Sequence, residues 1–369
     1  MTKAAIPIQE IILMLRLSSI KPIRCLFCLL GLLLLLTSCD TKDTLFTIPD
    51  VSIDIDISNR TVWSKARRYI IEKSDFTVQS GLIIQEGTVV VVKQGCSITV
   101  SDTGYISAQG SDSKPIIFTS QFDTQHGNTP DASRAVPGSW NNIIIKGSNK
   151  SIFNICQFYY GGGGMQPSTL QVTAGSVITL NQCLFVNNKG GNLSQLCGVV
   201  NASEASSTSI ISNCQFYSNE LPVSINPNMS IDNSNTFKNQ EKTLSNKYNS
   251  ILISTLASVS QSVSWKANNV AFVIEGSQLI ITSTAKVFIG DSSVFKFNRN
   301  SELHIIADTT SIFNSAGPGV HFTSIFDDNY KGDTNNDGTA TSPQAGDWVG
   351  ITNSNNVNYQ WKNIFYARK

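Results

Sequence analysis

The chain has 369 residues, enough for one long domain or two ordinary ones. Charged residues make up only 14% and the formal net charge is +1, so composition gives no electrostatic case for nucleic-acid binding. Ser, Thr, Asn and Gly fill the gap. Such a surface suits extended β structure whose polar side chains hydrogen-bond along stacked strands.

At the N-terminus Lys3, Arg16, Lys21 and Arg24 precede the apolar run LFCLLGLLLLL at 26–36, and Thr37, Ser38 and Cys39 follow. A basic flank, a short apolar core and small residues describe an export signal. The run is short for a membrane span. Leu36-Thr37-Ser38-Cys39 resembles the lipobox of bacterial lipoproteins. The resemblance implies a signal peptide over 1–38, cut before Cys39, and a covalent lipid with palmitate-type chains on the Cys39 thiol. Two or three acyl chains hold a protein on a membrane stably, where one does not. Asp40-Thr41-Lys42-Asp43 is loosely similar to a surface-export signal of some Gram-negative lipoproteins. The expected address is therefore the outer membrane, with the cell surface favoured over the periplasmic face. Residues 39–60 are polar and Asp-rich and read as a lipid-anchored flexible tether.

From residue 61 onward no sustained helical period occurs. Short β-branched runs alternate with Gly, Asn, Ser and Asp, as in GTVVVVKQGCSITVSDTGYISAQG at 87–110. Strands of about four residues at this rhythm are short for a sandwich. They suit the rungs of a parallel β-helix.

A long repeat organises the chain. Trp63 and Trp265 each open an apolar cluster followed by paired β runs. Both blocks reach Phe-Thr-Ser, at Phe118 and Phe322, and then Gly-x-Trp, at Trp140 and Trp348. The predicted division is a first β-helix half at 61–264 and a second, shortened repeat at 265–369. The open end of the second half needs a cap, from a partner or from the chain itself. Between the blocks, NICQF, NQCLF and SNCQF place Cys156, Cys183 and Cys214 two residues before Phe158, Phe185 and Phe216, and SNTF at 234 has the shape without the Cys. The Cys spacings of 27 and 31 residues are one solenoid turn each. Alternation puts both columns on the inward face. Five cysteines besides Cys39 follow the signal, without a CxxC pair, and read as core thiols.

These features resemble the right-handed parallel β-helix proteins of the pectate-lyase-like superfamily, and more closely its bacterial surface-protein branch with the phrase apolar, FTS, acidic loop, GxW, GI. The resemblance covers about 60–369. It implies an all-β, right-handed parallel β-helix. Members include polysaccharide lyases, hydrolases and adhesins, so the fold alone leaves function open.

The strongest local motif is Asp333-Thr-Asn335-Asn-Asp337-Gly338. Oxygen side chains at alternate positions followed by Gly match the start of a calcium loop, although position 12 is Gln344 and not Glu. Asp328 and Asp347 are candidate extra carboxylates for Ca2+ (Asp327 is a further one), and a structural ion is favoured over a catalytic one. The same letters also make a solvated turn. Phe158-Tyr159-Tyr160 before Gly161–Gly164 offers Tyr159 and Tyr160 as a sugar platform, or a wide turn with core aromatics. His126, near Asp123 and Asp131, reads as part of a polar loop rather than an acid–base site, and His304 and His321 stand apart. The middle rungs carry no matched carboxylate or basic set. The leading expectation is a non-catalytic protein, held at the membrane by lipid, that adheres or binds a polysaccharide or a surface protein. A polysaccharide lyase or glycoside hydrolase is the alternative, and a structural or assembly component the third.

Overall fold

The computed structural model describes residues 49–266, 269–306 and 308–368. Among these, 29 strands form five sheets with parallel pairing. A seven-stranded sheet holds β1 (Asp50–Ile53), β3 (Arg68–Ile71), β6 (Val89–Val92), β9 (Ile116–Ser120), β12 (Cys156–Tyr159), β15 (Leu184–Val186) and β18 (Gln215–Tyr217). A six-stranded sheet holds β2 (Thr61–Trp63), β5 (Gly81–Ile84), β8 (Tyr105–Gln109), β11 (Ser151–Asn154), β14 (Ile178–Asn181) and β17 (Ile210–Ser212). The ten-stranded sheet begins with β4 (Asp75–Val78), β7 (Ser97–Val100), β10 (Ile143–Ile145), β13 (Leu170–Val172), β16 (Val200–Ala202) and β19 (Val223–Ile225). It continues through β20 (Ser250–Ile253), β22 (Ala271–Ile274), β25 (Val294–Phe297) and β28 (His321–Ser324). Two three-stranded sheets complete the chain. One is β21 (Ser262–Trp265), β24 (Lys286–Ile289) and β27 (Ile312–Phe313); the other is β23 (Gln278–Ile281), β26 (Glu302–Ile305) and β29 (Gly350–Asn353).

From β2 to β19 the strands that pair are three apart in the chain, and β1 adds to the edge by pairing with β3. The chain thus visits three sheets in turn and stacks each visit on the last. The fold is all-β with long parallel sheets, consistent with a β-helix or solenoid. The two Trp-to-Gly-x-Trp blocks fold as the same succession of nine strands, β2–β10 and β21–β29. The second succession is entered one sheet on, because β9 lies in the seven-stranded sheet and its counterpart β28 in the ten-stranded one.

The flexible tether expected over 39–60 is shorter than that. Its first part lies outside the described residues, but β1 pairs along its length with β3, and Ile57 is buried and bridges Val78. Val51 and Ile53 alternate inward while Asp50 and Ser52 face out, so a half-buried strand reads as a polar run.

The core is built in columns. Phe118, Phe158, Phe185, Phe216 and Phe237 stack with centroid spacings of 4.9, 4.5, 4.9 and 5.5 Å. Each ring contributes about 1.5–3 kcal/mol by burial. Cys156, Cys183 and Cys214 precede registered pairs of β12, β15 and β18 and are buried free thiols. The sharp corners come from left-handed residues: Ile155, Gln182 and Asn213 before each Cys, and Tyr160, Asn187 and Ser218 two after each Phe. At the second corner a ladder of buried amides, Asn188 to Asn219 to Asn246 at 3.1 and 2.9 Å, takes up the backbone groups the turn frees.

The last rung is covered by the chain itself. Ile364 bridges Phe322, Ala367 bridges Trp348, and Tyr359 and Trp361 pack against the core.

Candidate functional site

The repeated Phe-Thr-Ser phrase ends a strand, β9 or β28, and the turn after it launches a lid. Thr119 Oγ1 donates to Asp123 Oδ2 at 2.7 Å, and Thr323 Oγ1 to Asp327 Oδ2 at 2.7 Å. Ser120 and Ser324 each accept the N–H of the following aromatic, Phe122 or Phe326, at 3.2 Å. Both aspartates are buried, at 4% and 0% exposed, so each is held by its donors rather than by water. Each lid then crosses the outer face of its sheet and returns to a buried Trp. Trp140 Nε1 donates to Tyr159 O at 2.7 Å and Trp348 Nε1 to Phe365 O at 2.8 Å.

The second lid carries the acidic motif. One carboxylate oxygen from each of Asp328, Asp333 and Asp337 lies within 4.8 Å of the others. Asp333 accepts the N–H groups of Asp337 and Gly338 at 3.2 and 2.8 Å, which curls the loop. Asn335 Nδ2 donates to Asp337 Oδ2 at 2.8 Å, and Thr341 donates to the same oxygen. Asp328 Oδ1, Asn335 Oδ1 and Asp337 Oδ1 are buried and have no hydrogen-bond partner. Orphaned, hard, mostly anionic oxygens of this kind fit Ca2+ or Mg2+ better than a soft ion. Burial, and then the charge of Asp333, holds the Asp328 carboxyl above its ordinary range. Asp347 is not part of this group: its Oδ2 accepts from Ser324 Oγ and from Gln344 N–H.

Beneath this loop lies Lys296, fully buried, its Nζ donating to Gly332 O at 2.7 Å and Thr334 Oγ1 at 2.8 Å. Burial pushes its ammonium down to about 8, with Asp328, Asp327 and Asp333 opposing.

Tyr159 and Tyr160 lie at the edge of the first lid. With Asp123, Gln125, His126 and Asn187 they line a groove of about 260 Å³. His126 Nδ1 sits 3.2 Å from Asp123 Oδ2, and its ring stacks on Tyr159 with centroids 6.3 Å apart. Burial alone would raise the Asp123 carboxyl, but hydrogen bonds from His126, Gln125 and Thr119 bring it below its ordinary value. Asp131 stays apart, bonded to Ser133. The polar loop of the sequence reading is thus pinned at His126, including by Arg68, which donates to the carbonyls of His126 and Gly127. Burial pushes the Tyr159 phenol up to about 12, so it acts as a neutral donor, here to Gln157 Oε1 at 2.9 Å.

The glycine run does not open an approach to sugar. A Cβ on Gly161 would lie 2.8 Å from Trp140, and one on Gly162 would overlap Lys189 O. These glycines let the lid's return pack against the corner. The open surface is instead the outer face of β12, β15 and β18. It presents the rows Gln157–Leu184–Gln215 and Tyr159–Val186–Tyr217. Along its other margin runs a groove of about 1050 Å³, lined by Gln182, Asn213, Gln215, Gln240, Lys238 and Lys242 over Ile155 and Leu184.

Sequence reasoning missed Lys296, Tyr217 and a polar cluster on the outer side of β26 and β29. In that cluster Thr352 Oγ1 is bonded to Glu302 and lies 2.8 Å from His304 Nδ1. Its members are about fifty positions apart, and only strand register brings them together. Cys39 and the signal segment lie outside the described residues. Among the described residues no helix is long and apolar enough to cross a membrane.

A scan against protein-family models finds no match to this chain, and searches of curated proteins and of solved structures find none either.

Proposed function

We propose that this chain is an exported lipoprotein, anchored through Cys39, whose body is a right-handed parallel β-helix that binds glycans without cleaving them. One observation carries the reading: the outer face of β12, β15 and β18 is left open between the first lid and the 238–245 hairpin. It offers half-buried aromatic rings and amides in registered rows, with Gln157 Oε1 accepting from Tyr159 and Gln215 Nε2 donating to Lys238 O. Rings stack on sugar faces, and amides exchange hydrogen bonds with hydroxyls. His126 and Asn187 close one margin, and the amide-lined groove forms the other. The second lid takes a structural Ca2+, held by Asp328, Asp333, Asn335 and Asp337, that neutralises a loop rich in carboxylates. The cell surface is the address such a face suits.

The test uses protein from residue 40, lacking the lipid, run through gels containing neutral or acidic polysaccharides. Retardation that falls at least about tenfold in a Tyr217→Ala, Gln215→Ala variant supports binding at this face. Shortening of the polymer makes the protein a lyase or hydrolase. Neither retardation nor shortening leaves a protein partner or an assembly role. Mass spectrometry of the N-terminal peptide tests the lipid on Cys39, which a Cys39→Ser variant must lose.

A further inference from the structure

The row of side chains beneath each lid is set by strand register. Under the first lid it reads Ile70–Val91–Thr119, and under the second Val273–Lys296–Thr323. Lys296 therefore stands where the first block has Val91. Both positions are fully buried. A lysine there is costlier than a valine, since its charge must leave water. Its contacts show what it gives in return. An ammonium has three N–H donors, and two of them reach Gly332 O and Thr334 Oγ1, on either side of Asp333. Asp333 in turn receives the N–H groups of Asp337 and Gly338. The support thus runs from strand β25 through one ammonium to the loop that presents the orphaned oxygens. Without a cation beneath it, a loop carrying Asp327, Asp328, Asp333 and Asp337 would repel itself.

We infer that Lys296 is a built-in strut that holds the 327–338 loop in its oxygen-presenting shape before any cation arrives. Cation binding is then uncoupled from folding of the loop. The strut stands on the contacts of Lys296 alone; only its consequence for cation binding rests on the calcium reading above. By position it is a supporting residue, touching no ligand oxygen of Asp328, Asn335 or Asp337.

The experiment is hydrogen exchange on the full chain, read at the amides of Asp337 and Gly338, in EDTA and in 10 mM CaCl2. Lys296→Met keeps length and removes the donors and charge. In the parent protein these amides should be protected in EDTA. In Lys296→Met they should exchange at least about tenfold faster in EDTA, while the amides of β6, β9 and β12 stay as slow as in the parent. Thr334→Val, which removes one acceptor and leaves the lysine in place, should give a smaller change at the same two amides. Fast exchange of the parent loop in EDTA, or unchanged protection in Lys296→Met, overturns the strut. Recovery of the Lys296→Met loop in CaCl2 supports both strut and cation site. A loop that opens in EDTA and stays open in CaCl2 keeps the strut and removes the calcium reading.

Discussion

The two lids begin alike and end differently. Each starts from a buried Thr–Asp bond and a Ser-capped aromatic, and an arginine lies over that aromatic in both: Arg134 of the first lid over Phe122 at 3.7 Å, and Arg299 of the turn after β25 over Phe326 at 5.4 Å. Each ends on a Trp whose indole N–H caps a carbonyl of the next rung. Between these points the first lid leaves a sheet face whose cluster is the apolar Ile70, Val89 and Val91, and the second is held by Lys296 and carries the acidic loop. The shared parts are those that geometry demands of a chain leaving and rejoining a stacked sheet. The differing parts are those free to hold chemistry.

The sharpest way to break this comparison is to put the charge under the wrong lid. Val91→Lys would bury an ammonium where Asp123 is already committed to Thr119, Gln125 and His126. A buried charge without a partner costs about 3–5 kcal/mol. Denaturant unfolding should show that loss. A cost under about 1 kcal/mol would mean the first lid can supply acceptors as the second does, and the two would no longer differ in kind.

The tryptophans test the shared frame. Trp140→Ala and Trp348→Ala should each cost about 3–5 kcal/mol, the range for emptying a large buried site. In a stack where each rung touches its neighbours, the losses should fall in different places. Exchange should quicken through β9–β15 for Trp140→Ala, and through β25–β29 and 358–368 for Trp348→Ala. Loss of protection along the whole chain in both variants would show one cooperative unit instead of two blocks.

The buried lysine gives a pH dependence that the first block lacks. Its folded value of about 8 lies below its ordinary 10.5, chiefly through burial. Between these values the unfolded chain holds a proton that the folded chain has lost. Stability contributed by this site therefore rises as pH climbs from about 8 to 10.5, by about 3 kcal/mol in total. Lys296→Met should lack that rise when both proteins are unfolded in parallel across the window. An identical pH slope in both would place the titrating group elsewhere.

Which of these differences the sequence could announce depends on the range of the contacts. The Phe-Thr-Ser-x-aromatic-Asp turn is local, with Thr and Asp four residues apart, so its repetition at Phe118 and Phe322 marks the two lid starts. The Cys column and the middle of the Phe column are legible because those rungs are similar in length, 27 and 31 residues, whereas Phe118 and Phe237 join the stack at steps of 40 and 21. Lys296 was hidden because Val-Phe-Lys-Phe alternates, so the lysine reads as a solvent-facing residue; only a loop 36 to 38 positions later covers it. The shift of β28 into the ten-stranded sheet was hidden because a repeat of strands does not say which sheet receives the first of them. Gly161–Gly164 left two readings open for a related reason, since the atoms they make room for belong to Gly138, Trp140, Asn142, Thr169 and Lys189, all brought in by the fold.

The smallest expected effect separates the lids by chemistry. Calcium sites of extracellular proteins commonly have dissociation constants near 1 mM, so 10 mM CaCl2 should stabilise the second block by about 1.4 kcal/mol. That is a rise of about 6 °C in its thermal transition. Asp333→Ala should abolish the shift, because it removes one ligand oxygen and the acceptor that curls the loop toward Asp337. Acid should weaken it as well, since the Asp328 carboxyl is already held above its ordinary range and takes up a proton early. The first lid presents no such cluster among the described residues, so exchange through β6–β12 should not respond to calcium. If Asp333→Ala shifts as much as the parent, the ion acts elsewhere, and the two lids differ only in how they are propped. If the shift is lost with Asp333 and the first block is indifferent, the acidic loop is the one place where the repeat gave up an apolar contact for a binding site.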